Sequence, residues 1–494
     1  MEWLAPPGKA HHKCSQSETR KRAEILSEFI YYLFDSLLIP LIRSNFYVTE
    51  SSVHKTRLFF FRHDVWRHVA EPAMASLRAT MFEEVPLASA LHILSSRRLG
   101  AAQIRLLPKQ TTMRPIMNLR RRTLLRTSGS HPPVLGPSIN SVLLPVHSAL
   151  RLERTLHPAS LGAGMFSVSE IYPRLKAFKA RLPSPPPRLY LAKVDVKAAF
   201  DTIPQQAVLA MLEALPTQSR YLLTKHVEVR PLASCPGKAT RRWHSTAHAP
   251  GGGSGSSSFV EALAAAPGTA AKRDTVFVDG VARAKHEAGA LVALAREHVE
   301  RNLVRVGKKY YRQREGIPQG SVLSSMLCNW FYARMEGEVL GFLGEEGLMM
   351  RLIDDFLLVT TDEEKARRFV GVMQGGVEAY GVRVSEGKTV VNFDMGEGER
   401  EGVRRVGEGE RFPYCGLEID CRTLEVSKGR DGGDGGGKFF SFSLFTLLVT
   451  GIPLILLVIF NSLTVDFSRA PGQNFTRKVL STLPPTSLPY PPSH

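Results

Sequence analysis

The chain has 494 residues, 43% hydrophobic and 22% charged. It is long and apolar enough for two to four domains of ~100–200 residues with full cores, which excludes a peptide, a small disulfide scaffold and a wholly disordered chain. Lys and Arg number 64 against 46 Asp and Glu, a net charge of +18. That surplus points to a polyanionic partner, nucleic acid or an anionic membrane surface, against the plainer reading of a basic solvated surface. Five scattered cysteines read as reduced thiols of an intracellular protein. His11, His12 and Cys14 have no second cluster to complete a metal site.

Taken in chain order, Met1 to Thr19 is polar and lacks the apolar core of a secretory signal. Ile25, Phe29, Leu33, Leu37 and Leu38 recur at helical spacing, predicting a helix over 20–39 that stops at Pro40. Strand character follows at 44–49 and 56–61, joined by the polar connection 50–55. Residues 97–126 are rich in Arg and Lys and hold no acid. A stiff Pro-rich linker, 183–187, precedes a buried-strand pattern over 189–196. Residues 233–272 read as a low-complexity, mobile loop and 282–302 as a polar-faced helix. A Gly/Glu/Arg loop spans 396–411, and 439–460 is an uncharged apolar run long enough to cross a bilayer.

Three segments carry the chemistry. In Leu191-Ala-Lys-Val-Asp195-Val-Lys-Ala-Ala-Phe200-Asp201 an apolar strand runs into a carboxylate, with an aromatic five residues on. In Met350-Arg-Leu-Ile-Asp354-Asp355-Phe-Leu-Leu-Val359 two apolar strands flank an acidic pair, a hairpin with carboxylates at its tip. In Arg314-Glu-Gly-Ile-Pro-Gln319-Gly320-Ser321 a Gly/Pro loop leads into an apolar helix. Carboxylates on adjacent strand ends can hold two Mg²⁺ ions, which clamp the attacking and leaving oxygens of an in-line phosphoryl transfer. An Asp-Asp pair alone is also ordinary turn chemistry. Unaided, these residues support a metal-dependent nucleotidyl transferase.

The same residues resemble reverse transcriptases, and closely resemble the telomerase reverse transcriptase family in a fungal-like form. Arg105 to Lys109 and Met113-Arg114-Pro-Ile are similar to the two fingers motifs, Asp195 and its neighbours to motif A, and Ile353 to Phe356 to motif C. Ser385 to Thr389 and Phe412 to Leu417 resemble the last two motifs. Residues 202–312 supply the insertion this family carries in its fingers. Phe29 to Leu33, Asn45 to Glu50 and Phe59 to Trp66 resemble motif T, which retroviral and intron-encoded enzymes lack.

The resemblance implies an α/β (α+β) right-hand polymerase palm and fingers, preceded by a mostly helical RNA-binding domain. It implies that Asp195, Asp354 and Asp355 hold the two Mg²⁺, with Asp355 the weaker ligand, and that Lys388 donates a proton to the leaving pyrophosphate. Lys109, Arg114, Phe200, Gln319 and Gly320 would bind the incoming nucleotide, Phe200 by excluding a ribose 2′-hydroxyl. Tyr414, Cys415 and Gly416 would grip the primer, Cys415 being equally a buried core thiol. Phe46 and Tyr47 would stack on RNA bases or lie in a core, and Arg120, Arg121 and Arg122 would touch RNA or serve nuclear import. The implied partners are a telomerase RNA template, a telomeric single-stranded DNA 3′ end and deoxynucleoside triphosphates, in the nucleus at chromosome ends, with accessory proteins unidentified and no membrane.

The implied domains are 1–90, the end of an RNA-binding domain; 91–426, fingers and palm; 427–461, the apolar run, which resembles a translated intron within a family-like stretch; and 462–494, a thumb remnant. Set against the family, both ends look truncated. A mobile-element reverse transcriptase and an inactive RNA-binding fragment are the alternative readings.

Overall fold

The computed structural model describes residues 15–51, 57–109, 112–122, 124–125, 134–232, 239–249, 259, 272, 274–385, 387–395, 402–407 and 409–429. The apolar run beyond 429, the expected thumb remnant, His11, His12, Cys14 and Cys235 lie outside the described residues. The chain divides into two compact units: one takes the residues up to Ser76 and Leu106–Arg114, the other Leu77–Arg105 and the described residues from Pro115 on. The break at Ser76 falls before the expected boundary at 90, because Phe82–Val85 pairs with Lys309–Gln313 inside the second unit.

In the first unit a helical rod runs through Gln16–Tyr32, a π-helical stretch Leu33–Leu38, and Ile39–Asn45. The Ser15 side chain caps its start by accepting from the Glu18 amide. Pro40 does not stop the helix, contrary to the sequence expectation. It sits in the first turn of Ile39–Asn45, directly after the π stretch, where its missing N–H is best tolerated. By length and hydropathy alone the rod would pass for a membrane span, and none of it is buried. Phe46–Glu50 and Leu58–Arg62 then pair antiparallel from Phe46↔Arg62 to Glu50↔Leu58, as the sequence predicts.

The second unit is built on a six-stranded sheet. Its order is Val403–Arg405, Thr389–Val391, Tyr190–Asp195, Asp355–Thr360, Leu348–Leu352, Gly164–Met165. The two central strands are buried on both faces, which is why they read as continuous apolar runs. Ala192, Val194, Phe356 and Leu358 face one core with the helices Ser324–Val339 and Glu363–Gly375. Leu191, Leu357 and Val359 face the other with the helix Ile171–Arg181 and the three-stranded sheet Phe412–Tyr414, Leu417–Ile419, Val426–Lys428.

A five-stranded sheet runs Phe82–Val85, Lys309–Gln313, Leu303–Val306, Ala102–Lys109, Thr112–Asn118. The insertion forms its own three-stranded antiparallel sheet, Ala239–His248, Arg220–Pro231, Val276–Glu287. Three local expectations change. Residues 239–248 are a strand rather than part of a mobile loop, because they pair with Arg220–Pro231 over their full length. The helix expected from 282 begins at Ala288, since the preceding residues are drawn into the sheet by the same strand. Val403–Arg405, within the expected loop, adds a parallel edge strand.

Candidate active site

The second unit brings the three aspartates together. Tyr190–Asp195 pairs antiparallel with Asp355–Thr360 so that Asp195 lies directly opposite Asp355. Asp354 stands at the tip of the tight hairpin that joins Leu352 to Asp355, and its carbonyl accepts from the Val196 amide at 3.0 Å. Asp195 and Asp355 are buried. Two buried carboxylates on facing strand positions repel each other unless cations or donors compensate.

The structure supplies part of that compensation. Lys388 Nζ donates to Asp195 Oδ2 at 2.7 Å, and Ser385 Oγ donates to the same oxygen at 2.8 Å. The Ser385 amide donates to the Asp195 carbonyl at 2.8 Å, docking Ser385 on the strand end. On the other side, Tyr414 is fully buried and its hydroxyl donates to the Asp355 carbonyl at 3.1 Å. Cys415 Sγ lies 4.0 Å from Asp355 Oδ2. Burial, and then the Asp355 carboxylate, push the Cys415 thiol well up, so it stays protonated and unreactive. Cys415 and Gly416 both take positive φ, 49° and 78°, forming the turn of the Phe412–Ile419 hairpin.

Among the described residues no three His, Cys, Asp or Glu side chains close into a ready-made metal cage. The donor set nevertheless fits a hard divalent cation that takes its remaining oxygens from substrate phosphates. It is all carboxylate oxygen, and Asp195 already draws an ammonium onto Oδ2.

Beside the strand end, the loop before helix Ser324–Val339 packs on the segment that carries Phe200. The Ile317 amide donates to the Phe200 carbonyl at 2.7 Å, and Gln319 Nε2 to Asp201 Oδ1 at 2.8 Å. Gly316 has φ +70° and lies so close that a Cβ there would come within 2.4 Å of the Phe200 carbonyl. Gly320, at φ +108°, likewise leaves room for the Met117 carbonyl. The Met117 amide donates to the Gln319 carbonyl at 2.9 Å, and Asn140 Nδ2 to the Gly320 carbonyl at 3.0 Å. Phe200 is partly buried against the main core.

The other candidates fall elsewhere. Lys109 and Arg114 belong to the first unit. There too, Phe46 is exposed, whereas Tyr47 stacks on Trp66 with ring centroids 4.0 Å apart. Arg121 bonds Gln103, and Arg122 donates to the carbonyls of Gly136 at 3.0 Å and Leu135 at 2.8 Å. Arg120 is exposed. Sequence reasoning left out Ser385, Asn140 and Arg351 as site residues. Only Arg351 carried a visible signal, a charge inside an apolar strand.

The fold agrees with comparisons to known proteins. The family model "Telomerase ribonucleoprotein complex - RNA binding domain" matches residues 1–77, and "Reverse transcriptase (RNA-dependent DNA polymerase)" matches 289–419. Telomerase reverse transcriptase of Canis lupus familiaris is 31% identical over 94% of this chain and 40% of its own length. That of Bos taurus is 31% identical over 97% of this chain and 41% of its own length. The chain is thus similar to telomerase reverse transcriptases over nearly its whole length. It spans about two fifths of the length of these curated relatives. Among solved structures, telomerase from Candida albicans in complex with a TWJ fragment of telomeric RNA superposes with a TM-score of 0.56 at 20% identity, covering 88% of this chain and 61% of that one. The likeness shows the polymerase fold, and the rod Gln16–Asn45 falls within the match to the RNA-binding domain.

Proposed function

We propose that this chain is the reverse-transcriptase part of a telomerase catalytic subunit, extending a telomeric DNA 3′ end on the template of a separate telomerase RNA. The observation that carries the reading is Asp195 set opposite Asp355 with Asp354 at the adjoining tip. Asp195, Asp354 and Asp355 would hold two Mg²⁺, which supply charge stabilisation to the attacking and leaving oxygens when bound. The chain's own work is to place groups. The Ser385 hydroxyl and Lys388 orient the Asp195 carboxylate, and Tyr414 and Cys415 brace Asp355 from the primer side. Phe200, set by the Gly316–Gly320 loop, selects the deoxy sugar by excluding a 2′-hydroxyl. Lys388 would also give a proton to the departing pyrophosphate. Lys109 and Arg114 pair with the triphosphate, and Phe46 offers an exposed ring for an RNA base. Nuclear residence at chromosome ends follows from that role. The match to the telomerase RNA-binding model favours this reading over a mobile-element enzyme.

Primer extension with the telomerase RNA tests it. Asp195→Ala and Asp354→Ala should each lower extension by at least about a hundredfold while RNA binding persists. The double variant should be scarcely worse than either single one, because the ligands act as a unit. Extension at the parent rate by either single variant would overturn the assignment.

A further inference from the structure

Among the described residues, Arg351 is the largest side chain buried without residual exposure, and it lies directly behind the carboxylate hairpin. It occupies the strand Leu348–Leu352 opposite Phe356, so its side chain points to the core on the far face of the sheet from Asp195 and Asp355. All three nitrogens of its guanidinium donate. Nε donates to Glu336, Nη2 to the Asn329 carbonyl at 2.9 Å, and Nη1 to Asn329 Oδ1 at 2.7 Å and the Ile353 carbonyl at 3.5 Å. The second oxygen of Glu336 accepts from the Ala163 amide at 2.8 Å, so the network also ties in the edge strand. Gly162 and Gly164 leave the room it needs, since a Cβ at Gly162 would come within 2.2 Å of Glu336 Oε2.

The Ile353 carbonyl is the informative partner. Ile353 and Asp354 are the two residues that turn the hairpin, and Ile353 has φ +61°. Two-residue hairpin turns place Gly, Asn or Asp at positive φ, and a β-branched residue there is strained. Such a turn persists only where its surroundings over-determine it. Glu336 and Asn329 sit on the largely buried helix Ser324–Val339, and Arg351 is the strap from that helix to the turn.

We propose that Arg351 is a positioning residue that holds the strained Ile353 turn, and through it sets Asp354 to receive a divalent cation. This rests on the triad being the metal site. A lysine at 351 keeps the charge but cannot span Glu336, Asn329 and the Ile353 carbonyl at once. A role confined to core stability would lower the melting temperature without changing metal affinity in the folded chain. Supports of metal ligands of this kind change affinity by about 10–100-fold.

The test is Mn²⁺ binding to the full chain without nucleotide, read by electron paramagnetic resonance, with hydrogen exchange at the Ile353 and Asp354 amides. Arg351→Lys should weaken Mn²⁺ binding about tenfold and speed exchange at both amides. Asn329→Ala, which leaves the Arg351–Glu336 pair in place, should act in the same direction, and carries the test alone should Arg351→Lys fail to fold. Adding Ile353→Gly to either variant should recover most of the lost affinity, because glycine takes positive φ without support. Parent-like Mn²⁺ affinity in the folded strap variants, or no recovery on adding glycine, overturns the proposal. Affinity lost in Asp354→Ala but untouched by the strap variants overturns this inference alone. A parent that binds no Mn²⁺ overturns it together with the reading of the triad.

Discussion

A helix packed on the six-stranded sheet and a strand of the insertion sheet each bury a glutamate against basic side chains, and they do so in opposite ways. Glu336 meets Arg351 with both side chains at most 5% exposed, and every arm of the guanidinium is bonded. Glu228, on the strand Arg220–Pro231, is also buried, but its partners Lys272 and His244 keep about a third of their surface in solvent, 32% each. Burial pushes the Glu228 carboxyl up, and hydrogen bonds from Lys272 and His244 outweigh that and leave it below its ordinary value. The first arrangement cannot rearrange when a partner is lost. The second can release its cations to water. One sheet carries the carboxylate hairpin at its strand ends, while the other is decorated by exposed apolar residues such as Trp243 and Val276.

Glu336→Ala should break that contrast most visibly. It strands a buried guanidinium, and the expected loss is about 3–5 kcal/mol in urea unfolding. Gly162→Ala attacks the same pair sterically. With φ +52° and a Cβ 2.2 Å from Glu336 Oε2, it should cost about 2–3 kcal/mol by the same measurement.

Acid should act next. Burial, and then the Arg97 charge, hold the His298 imidazole down to about 3 against its ordinary 6.5. Its folded pKa is depressed, so the unfolded chain binds the extra proton. The stability it contributes is present above pH 6.5 and lost as pH falls toward 3. That amounts to about 2 kcal/mol by pH 5. Unfolding midpoints at pH 7 and pH 5 check this, and His298→Gln should flatten the difference. Burial likewise holds His226 and His244 below their ordinary value, so acid should also loosen the insertion sheet.

Glu228→Gln sharpens the comparison from the yielding side, since Lys272 and His244 can turn to solvent. About 1 kcal/mol or less is expected, and a loss as large as that of Glu336→Ala would show the two sites to be alike. Trp243→Ala, at a side chain 68% exposed, should change stability by no more than about 0.5 kcal/mol.

Asp195, Asp354 and Asp355 were legible because each ends or joins an apolar run, and a carboxylate at a strand end is conspicuous in one dimension. The same holds for the Gly316–Gly320 loop, whose glycines mark close backbone approaches that the structure shows against Phe200 and Met117. Tyr47 read as either a base-stacking or a core residue, and its ring stacks on Trp66. Arg121 and Arg122 read as RNA contacts or part of an import signal, and within the chain they bond Gln103 and the 135–136 backbone. Each of these depends on a partner that spacing alone does not name.

The sequence by itself determined the order of the elements around the carboxylates and the double-sided burial of their strands. Hydrophobic period, Gly and Pro placement and charge are local quantities, and they act on the nearest few residues. Tertiary structure alone decided that Asp195 faces Asp355, that residues 239–248 and 282–287 are strand, and that Arg351 is fully buried behind the hairpin. Strand pairing overrides local propensity, and a charge can be buried only where distant groups such as Glu336 and Asn329 converge to satisfy it.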